Sequence, residues 1–498
     1  MKIRRIAAFL LAALTFAAIF VCSSSCGTSG NPIVPTDTDV SGREARLAAD
    51  DGLGDVKFTG KKWRVSCTDI CRYEMFSDDI TDICGAAIHR RNLKIEDRFD
   101  IEMIPVVTVA SGSGEGQLMH ERYVRQALDS GDDEFDAIMM QVWRAGTVIV
   151  DGYFADFNDG SVPGINLSRP WWSKEVNDTF TINGMLFAAV GDISVTALQQ
   201  TYAYMLNKRI ASDYNIADLY DVVRSGEWTI DYVSALVKDI YEDYNRDGER
   251  DGDDVYGFMT GTVHDASAYL YAFGLSLTGK KDGYLDVVLD ERKANDTYEK
   301  IFALFYETNG AYTLKTDKEY KQLVGMFTSG KALLSPQPLS RLYDKIRDME
   351  DPYGVLPYPK YNDKQKDYYS GTSNNWSVFC VPAKAKDPEL AGYVAEALCC
   401  ENYRTVITAY YDKALKDKYT DADDDEEMLD ILLAGKRSDL ALLFGPSMDG
   451  VNAFFRYQLQ AESRKFASEW ASKKMSFSAS IAKIEQQYDK MAAAKAQK

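Results

Sequence analysis

Apolar and polar positions follow two different periods along the first part of the chain. The segments Lys61–Cys67, Ile101–Val109 and Phe135–Val142 are short, apolar and rich in strand-forming residues, which favours buried strands. Between them, Asp79–Phe99 and Glu115–Leu128 carry apolar residues at helical spacing. A strand–helix–strand–helix–strand order predicts parallel strands joined by right-handed crossovers. The pattern therefore predicts an α/β fold.

The pattern becomes more helical towards the C-terminus. Tyr353–Tyr361 and Asn374–Pro382 predict two further strands, and the chain from Asp387 to Lys498 is mostly helical in its spacing. In the middle of the chain, Thr229 is a good helix N-cap. The apolar face after Thr229 predicts a helix running directly into Asp243.

The chain begins like a bacterial export signal. A basic start is followed by the unbroken apolar run Ile6–Val21, and small residues then lead to Cys26. This layout is typical of a cleaved signal, and the run is short for a membrane-spanning helix. We predict that residues 1–25 are removed and that Cys26 is lipidated, which would hold the protein on the extracellular face of the cell membrane. A soluble secreted form is the alternative.

Residues 26–57 differ in composition from the rest of the mature chain. They are rich in Gly, Ser, Thr, Asp and Pro and show little apolar pattern. Such a composition predicts a flexible tether between the lipid anchor and the folded body.

Composition excludes several classes of function. The 498 residues carry a formal net charge of -19, which repels nucleic-acid phosphates, so we expect no nucleic-acid partner. The three histidines show no paired spacing, which argues against histidine-based zinc sites and Ser-His-Asp triads. We therefore expect a protein that is not an enzyme and name no catalytic residue. The cysteines after Cys26 are not spaced as in a disulfide framework, so we expect buried free thiols. They are Cys67, Cys71, Cys84, Cys380, Cys399 and Cys400.

The segment DYNRDGERDGDD, Asp243–Asp254, has the spacing of a calcium loop. Oxygen-bearing side chains stand at positions 1, 3, 5, 7, 9 and 12, and Gly248 stands at position 6, where the loop turns sharply. Because an extended segment rather than a helix is predicted after the loop, we expect a structural Ca²⁺ rather than a sensor; a solvated acidic loop is the alternative. The predicted ligands are Asp243, Asn245, Asp247, Glu249 through its carbonyl, Asp251 and Asp254.

A series of segments extends over almost the whole chain after the export signal. Together with that signal, they resemble the family 1 extracellular solute-binding lipoproteins of ABC importers, of the carbohydrate type. The segments are GAAIHRRNLKIEDRFDIEM (Gly85–Met103), PWWSKEVNDTFTINGMLFAAVGDIS (Pro170–Ser194), YAYMLNKRIASDY (Tyr202–Tyr214), LYDVVRSGEWTID (Leu219–Asp231), YGF (Tyr256–Phe258), FTSGKALLSPQPL (Phe327–Leu339), YGVLPYPKY (Tyr353–Tyr361) and VITAYYDKALKDKYTDADDDEEMLDIL (Val406–Leu432).

The resemblance implies a two-lobed periplasmic-binding-protein-like fold of the second type, with a helical C-terminal part. Lobe 1 would comprise 58–191 and a return at 335–386. Lobe 2 would comprise 192–334, with the calcium loop at 243–254, and most of the helical part at 387–498. Hinges near Asp192–Val195 and Ser335–Pro336 would let the lobes close on a ligand.

The resemblance also implies a sugar ligand. Sugar C–H faces stack on aromatic rings, and sugar hydroxyls need amide and carboxylate partners. Trp171 and Trp172 are further possible contacts, although they suit packing between the lobes equally well. The candidate ligand-binding residues are Gln141, Trp143, Asp192, Tyr202, Asn374 and Trp376.

The implied partners are the permease subunits of an ABC importer, with the protein itself a monomer. A sensory binding protein that docks to a membrane receptor is an alternative, as is a binder of peptides or polyamines. A glycoside hydrolase would need a particular pair of carboxylates, and nothing in the sequence singles one out.

Overall fold

The structure, a computed structural model, describes residues 40–108, 114–263, 265–281, 283–415 and 422–497. The predicted export signal and Cys26 therefore lie outside the described residues. Within the described part of the chain, no helix is both long enough and apolar enough to cross a membrane.

Strands occur throughout the first four-fifths of the chain. They are β1 Lys61–Cys67, β2 Ile101–Val107, β3 Ala137–Gln141, β4 Tyr202–Asn207, β5 Tyr241–Glu242, β6 Val255–Gly261, β7 Thr278–Lys281, β8 Tyr284–Val287, β9 Ala311–Leu314, β10 Ala332–Pro338, β11 Tyr353–Leu356 and β12 Ser377–Cys380.

Helices connect and cover these strands, and they make up most of the chain after β12. They are α1 Val40–Leu47, α2 Asp69–Met75, α3 Ile83–Phe99, α4 Gly114–Ser130, α5 Val142–Ile149, α6 Lys174–Phe180, α7 Val195–Gln199, α8 Lys208–Asp213, α9 Leu219–Arg224, α10 Ile230–Val237, α11 Ala268–Ala272, α12 Glu291–Phe302, α13 Asp317–Tyr320, α14 Leu323–Thr328, α15 Ser340–Asp344, α16 Pro388–Glu401, α17 Ile407–Leu415, α18 Ala422–Ala434, α19 Leu440–Phe444, α20 Val451–Gln460 and α21 Phe466–Ala496.

The first lobe is built on a sheet with the strand order β12-β3-β1-β2. β1 pairs in parallel with both β2 and β3, as the alternating pattern predicts, while β12 is antiparallel to β3. Every residue of β3 is buried, because helices cover both faces of the sheet. The α/β fold class is thus confirmed.

The second lobe is built on a sheet with the order β11-β4-β10-β6-β5, and β9 also pairs with β6. β10 lies between β4, to which it is antiparallel, and β6, to which it is parallel. Residues 335–356 therefore belong largely to this second sheet, and their assignment to the first lobe is wrong. The chain returns to the first sheet only at β12.

The chain passes between the two sheets twice. The first crossing segment, 190–201, contains the predicted hinge at Asp192–Val195 and ends at β4. The second, 357–376, joins β11 to β12, and the two segments touch at a bridge between Thr201 and Thr372. The predicted hinge at Ser335–Pro336 is wrong, because both residues are paired with β4 inside β10.

Residues 40–57 are not a free tether. Leu47, at the end of α1, accepts a hydrogen bond through its backbone carbonyl from Arg404 Nε at 3.0 Å. Asp51 is 8% exposed and pairs with the guanidinium of Arg98, one of whose contacts is 2.9 Å long. An ion pair between distant parts of the chain thus attaches this segment to the folded body.

The C-terminal helices pack on both lobes, and the longest of them, α21, packs on β8 and α12 of the second lobe. α16 and α17 pack on α3, and α19 packs closely on α5, all in contact with the first lobe. At the α5–α19 contact, a Cβ added to Gly146 would lie 2.3 Å from the Leu443 carbonyl oxygen, so only glycine permits this approach. α18 packs on β11 of the second lobe. The helical part therefore connects both lobes.

Candidate ligand-binding site

Trp143 stands directly after β3, in the first turn of α5. Its indole Nε1 donates a hydrogen bond to Gln117 Oε1 at 2.5 Å, and Gln117 Nε2 donates to Asn375 Oδ1 at 2.8 Å. The amide of Gln117 thus joins α4 of the first lobe to the second crossing segment. This contact fixes the orientation of the Trp143 ring at the edge of the first sheet where ligands of open α/β sheets bind.

The neighbouring Arg144 adds charge to this edge. Its guanidinium lies 3.8 Å from the centroid of the Trp143 ring and 3.5 Å from a carboxylate oxygen of Glu121. Burial lowers the pKa of Arg144, an effect that Glu121 opposes. Stacking of this kind stabilises both the cation and the ring position.

A small polar cavity, here called the cleft cavity, lies beside the second crossing segment. Its volume is about 40 Å³, which holds a few water molecules but no sugar ring until the lobes part. The hydroxyls of Thr372 and Ser267 are buried at its wall without a hydrogen-bond partner among the described residues. The cavity is lined by Ser267, Tyr271, Thr372, Ser373, Asn374, Leu442, Asn452, Ala453 and Arg456.

The cleft cavity and Trp143 are joined by hydrogen bonds along the crossing segments. The backbone N–H of Asn375, the partner of Gln117, donates to Ser373 Oγ at 3.1 Å. The Ser373 hydroxyl in turn donates to Gln200 Oε1 at 2.8 Å. Since Asn374 lines the cavity, the structure brings two predicted site residues, Trp143 and Asn374, to the same region.

Gln141 and Trp376 are interior residues in this structure. Gln141 is 1% exposed, and its Nε2 lies 3.4 Å from the Cys71 sulfur under α2. Trp376 is also 1% exposed and stacks on Phe180, with 6.4 Å between the ring centroids. Trp376 therefore packs in the core of the first lobe, and its predicted contact with ligand is not supported.

Tyr202 belongs to a buried group of tyrosines around Asp265. Its ring packs edge-on against that of Tyr358, and burial raises its pKa. Asp265 is fully buried and accepts a hydrogen bond from the Tyr320 hydroxyl at 2.7 Å. Burial raises the pKa of Asp265 to about 7.

Sequence reasoning missed several polar residues of this region. The sequence around Gln117 and Arg456 shows only helical spacing, and no sequence feature marks either residue as part of a site. Ser373 and Asn375 flank the predicted Asn374 in the polar run TSNN that precedes β12. The polar character of this run is a sequence feature that could have marked all of its residues as candidates.

Asp192 lies at a different place from the other predicted contacts. It lines a second cavity of about 240 Å³, here called the charged cavity, together with Arg46, Trp171 and Lys436. The charged cavity and the cleft cavity share no lining residue within the described chain.

The predicted calcium loop turns where the sequence places its glycine. Gly248 has a φ of 80°, a left-handed conformation that glycine adopts freely, and its N–H donates to Asp243 Oδ2 at 3.0 Å. The other oxygen of Asp243 is buried without a partner in the described chain, as a first ligand would be. Oxygens of other predicted ligands accept hydrogen bonds inside the loop: Asp247 Oδ1 from Glu249 N at 2.8 Å, and Asp254 from Tyr241 Oη at 3.0 Å and Tyr244 N at 3.2 Å.

The elements around this loop partly match expectation. Thr229 caps α10 by accepting from Tyr232 N at 3.2 Å, as predicted. The helix ends at Val237 instead of reaching Asp243, because Tyr241–Glu242 pair with the start of β6. The extended segment predicted after the loop is β6 itself.

The described cysteines are not paired in disulfides. They are buried and free, as predicted, and among the described residues no three His, Cys, Asp or Glu side chains are grouped so as to hold a metal ion.

Comparison with solved structures identifies the fold. The acarbose receptor GacH of Streptomyces glaucescens matches with a TM-score of 0.52 and 14% identity, covering 86% of this chain and 98% of that one. A cyclo/maltodextrin-binding protein complexed with maltotetraose matches with a TM-score of 0.54 and 13% identity, covering 87% of this chain and 98% of that one. The ABC substrate-binding protein Lmo0181 from Listeria monocytogenes, in complex with cycloalternan, matches with a TM-score of 0.52 and 11% identity. The match covers 86% of this chain and 99% of that one.

This chain has the two-lobed fold of those substrate-binding proteins. No family model matches the sequence, and no curated protein matches it. Trp143 lies near the end of β3 in the first sheet, and the cleft cavity lies beside the segment that leads from the second sheet back to the first.

Proposed function

We propose that the protein is an extracellular solute-binding protein that captures an oligosaccharide between its lobes. It holds the sugar without converting it and passes it to the permease subunits of an ABC importer. In this proposal Cys26 carries the lipid anchor and the protein acts as a monomer. The solved structures that share its fold are described with acarbose, maltotetraose and cycloalternan, which supports a sugar as the ligand.

The observation that carries the proposal is the wall made by Trp143 and the second crossing segment. An aromatic ring held by an amide offers a sugar ring a flat apolar face, and the unpartnered hydroxyls of Thr372 and Ser267 offer hydrogen-bond partners to sugar hydroxyls. Leaving a buried hydroxyl unpaired costs about 1–3 kcal/mol, which a ligand hydroxyl would recover.

The test is a thermal-shift and calorimetric screen of the mature protein against linear and cyclic oligosaccharides, with dipeptides, polyamines and amino acids as comparison ligands. A sugar at about 100 times its dissociation constant should add about 2.7 kcal/mol to the free energy of unfolding. Stabilisation by peptides or polyamines alone would refute the sugar assignment. Chromatography of the recovered sugar after incubation checks that it is unchanged.

The sensory alternative differs only in its partner. A binding protein that reports to a membrane receptor would bind the same sugar but would not support uptake. Transport of labelled sugar by membrane vesicles carrying the permease, with and without this protein, separates the two.

We also propose that the loop Asp243–Asp254 holds a structural Ca²⁺. Asp243, Asn245 and Asp247 would supply side-chain oxygens, and Glu249 its carbonyl; Asp251 would bind directly or through water. The buried, unpartnered oxygen of Asp243 supports Asp243 as a ligand, while the side-chain oxygens of Asn245 and Asp247 would exchange hydrogen bonds within the loop for the ion. Asp254, with its oxygens already engaged by Tyr241 and Tyr244, would contribute less than the twelfth residue of a sensor loop.

A further inference from the structure

The charged cavity lies between the first crossing segment and the helical C-terminal part. Its volume of about 240 Å³ is far larger than the roughly 10–15 Å³ that one water needs, and smaller than the roughly 300–1,000 Å³ of pockets for drug-sized ligands. The space therefore suits a small organic molecule. Trp171 and Tyr403 supply apolar faces to its wall.

Charges of both signs line this cavity without pairing. The backbone N–H of Asp192 donates to the Trp171 carbonyl at 2.8 Å, and its carbonyl accepts from Asn402 Nδ2 at 2.7 Å, but its carboxylate has no hydrogen bond or ion pair with any described residue. Lys436 is likewise without a partner for its ammonium group in the described chain. Burial raises the pKa of Asp192 to about 7 and lowers that of Lys436, and the attraction between the two groups opposes both shifts without reversing them.

Two further groups complete the wall. Arg46 lies with its guanidinium 4.8 Å from the centroid of the Tyr403 ring and forms no ion pair with a described residue. Ser194 is 2% exposed, and its hydroxyl has no hydrogen-bond partner among the described residues. A buried hydroxyl in that state costs about 1–3 kcal/mol unless something in the cavity meets it.

These features select the class of ligand. A neutral sugar would leave the Asp192 and Lys436 side chains without a directly paired opposite charge, and a simple anion would pair with the cations but leave the Asp192 carboxylate without a partner. A molecule with an ammonium and a carboxylate close together satisfies both ends at once. From this arrangement we propose that the charged cavity is a second binding site, for a free α-amino acid, separate from the cleft.

In this site Asp192 receives the ligand ammonium, and Lys436 with Arg46 receives the ligand carboxylate. The side chain of the amino acid lies against Trp171 and Tyr403. Because the two charged ends are matched across the cavity, removal of either ligand charge leaves one buried protein charge unpaired, which weakens binding.

The test is isothermal titration of the mature chain with the standard amino acids, followed for the best one by the matched amine that lacks its carboxylate and the matched acid that lacks its ammonium. We expect saturable binding of at least one amino acid, weakened at least about tenfold by loss of either charge, the equivalent of about 1.4 kcal/mol. Absence of saturable binding by every amino acid, or equal binding of the amine or the acid, overturns the proposal.

Variants give an independent readout. Asp192→Asn and Lys436→Gln are each expected to weaken amino-acid binding at least about tenfold and, because each removes a half-buried charge without a direct partner, to keep or raise the melting temperature. Lys473→Met, at an exposed lysine of α21, is the matched control and should bind as the parent does. Unchanged affinity in both cavity variants refutes the site.

The outcome is distinguishable from that of the sugar proposal. Sugar binding is measured on the same variants, and Lys436→Gln, which changes neither the hinge nor a candidate sugar contact, should retain it. Competition between sugar and amino acid for one site would show that the charged cavity is no separate site, whereas failure to bind sugar leaves the amino-acid result standing.

Discussion

The carboxylate of Glu74 accepts hydrogen bonds from both the backbone N–H and the hydroxyl of Thr196, at 2.9 and 2.8 Å. Its other oxygen accepts from the hydroxyl of Ser377, at the start of β12. Glu74 lies in α2, Thr196 follows the first hinge, and Ser377 follows the second crossing segment. One buried carboxyl group thus joins the first lobe to both passages between the lobes.

The titration of Glu74 should make stability depend on pH. Burial raises its pKa from 4.5 to about 7, so the folded protein binds this proton more tightly than the unfolded chain. The stabilisation that the bound proton of Glu74 gives the folded state is therefore full below pH 4.5 and is lost as pH rises through about 7. This loss changes the free energy of unfolding by about 3 kcal/mol. Urea unfolding at pH 5 and pH 8 measures it.

Glu74→Gln is the matched variant, because glutamine keeps the shape and cannot titrate. Asp192 and Asp265, whose pKa values are raised in the same sense, titrate in both proteins, so the difference in pH slope isolates Glu74. Equal slopes for parent and variant would contradict the assignment.

Trp143→Ala should weaken sugar binding about tenfold, since the ring supplies about 0.5–1.5 kcal/mol beyond its buried area. Gln117→Ala, which frees the indole N–H, should weaken it less. Calorimetry with the best sugar from the screen gives both values. Trp376→Phe is the control, because it changes a tryptophan of the core. It should lower stability and leave sugar affinity unchanged. A large loss of affinity in this variant would mean that Trp376 contacts the ligand after all.

Removal of Ca²⁺ should lower the melting temperature without changing sugar affinity per folded molecule. At a Ca²⁺ concentration about 100 times its dissociation constant, the bound ion contributes about 2.7 kcal/mol. Asp243→Asn should melt at the temperature of the chelated parent and no longer respond to Ca²⁺. If chelation changes sugar affinity severalfold, the ion acts on the cleft and is not merely structural.

Glu396→Ala should cost at least about 3 kcal/mol of unfolding free energy, because it leaves several buried donors unpaired at about 1–3 kcal/mol each. Glu396 accepts from the indole nitrogens of Trp171 at 3.0 Å and Trp172 at 2.7 Å. Tryptophan fluorescence during urea unfolding reports the change. Glu389→Ala, at an exposed position of the same helix, should cost less than about 1 kcal/mol; similar losses in the two variants would mean that the indole contacts contribute little.

The first sheet could be predicted because its parallel strands are buried on both faces and are separated by helices of clear period. The second sheet could not be placed correctly, since Pro336 and Pro338 in β10 resemble a break in the chain. The packing of residues 40–57 depends on the ion pair between Asp51 and Arg98. Because these residues are distant in sequence, the composition of the segment does not predict their contact.

The position of a candidate side chain was predictable where it follows a buried strand. Trp143 stands immediately after β3, and topology alone places it at the ligand edge. Trp376 precedes a strand instead, and local sequence does not distinguish a ring that stacks on Phe180 in the interior from one that faces a cleft. The position of Asp192 at the first hinge suggests a place in the cleft, yet in the folded chain Asp192 lines the charged cavity instead.

The position of β12 has a consequence for biosynthesis. The first sheet needs Ser377–Cys380 beside β3, so the whole second sheet is synthesised before the first can be completed. Contacts between such distant segments form slowly. A nascent chain built in this way keeps its first sheet incomplete until late in translation.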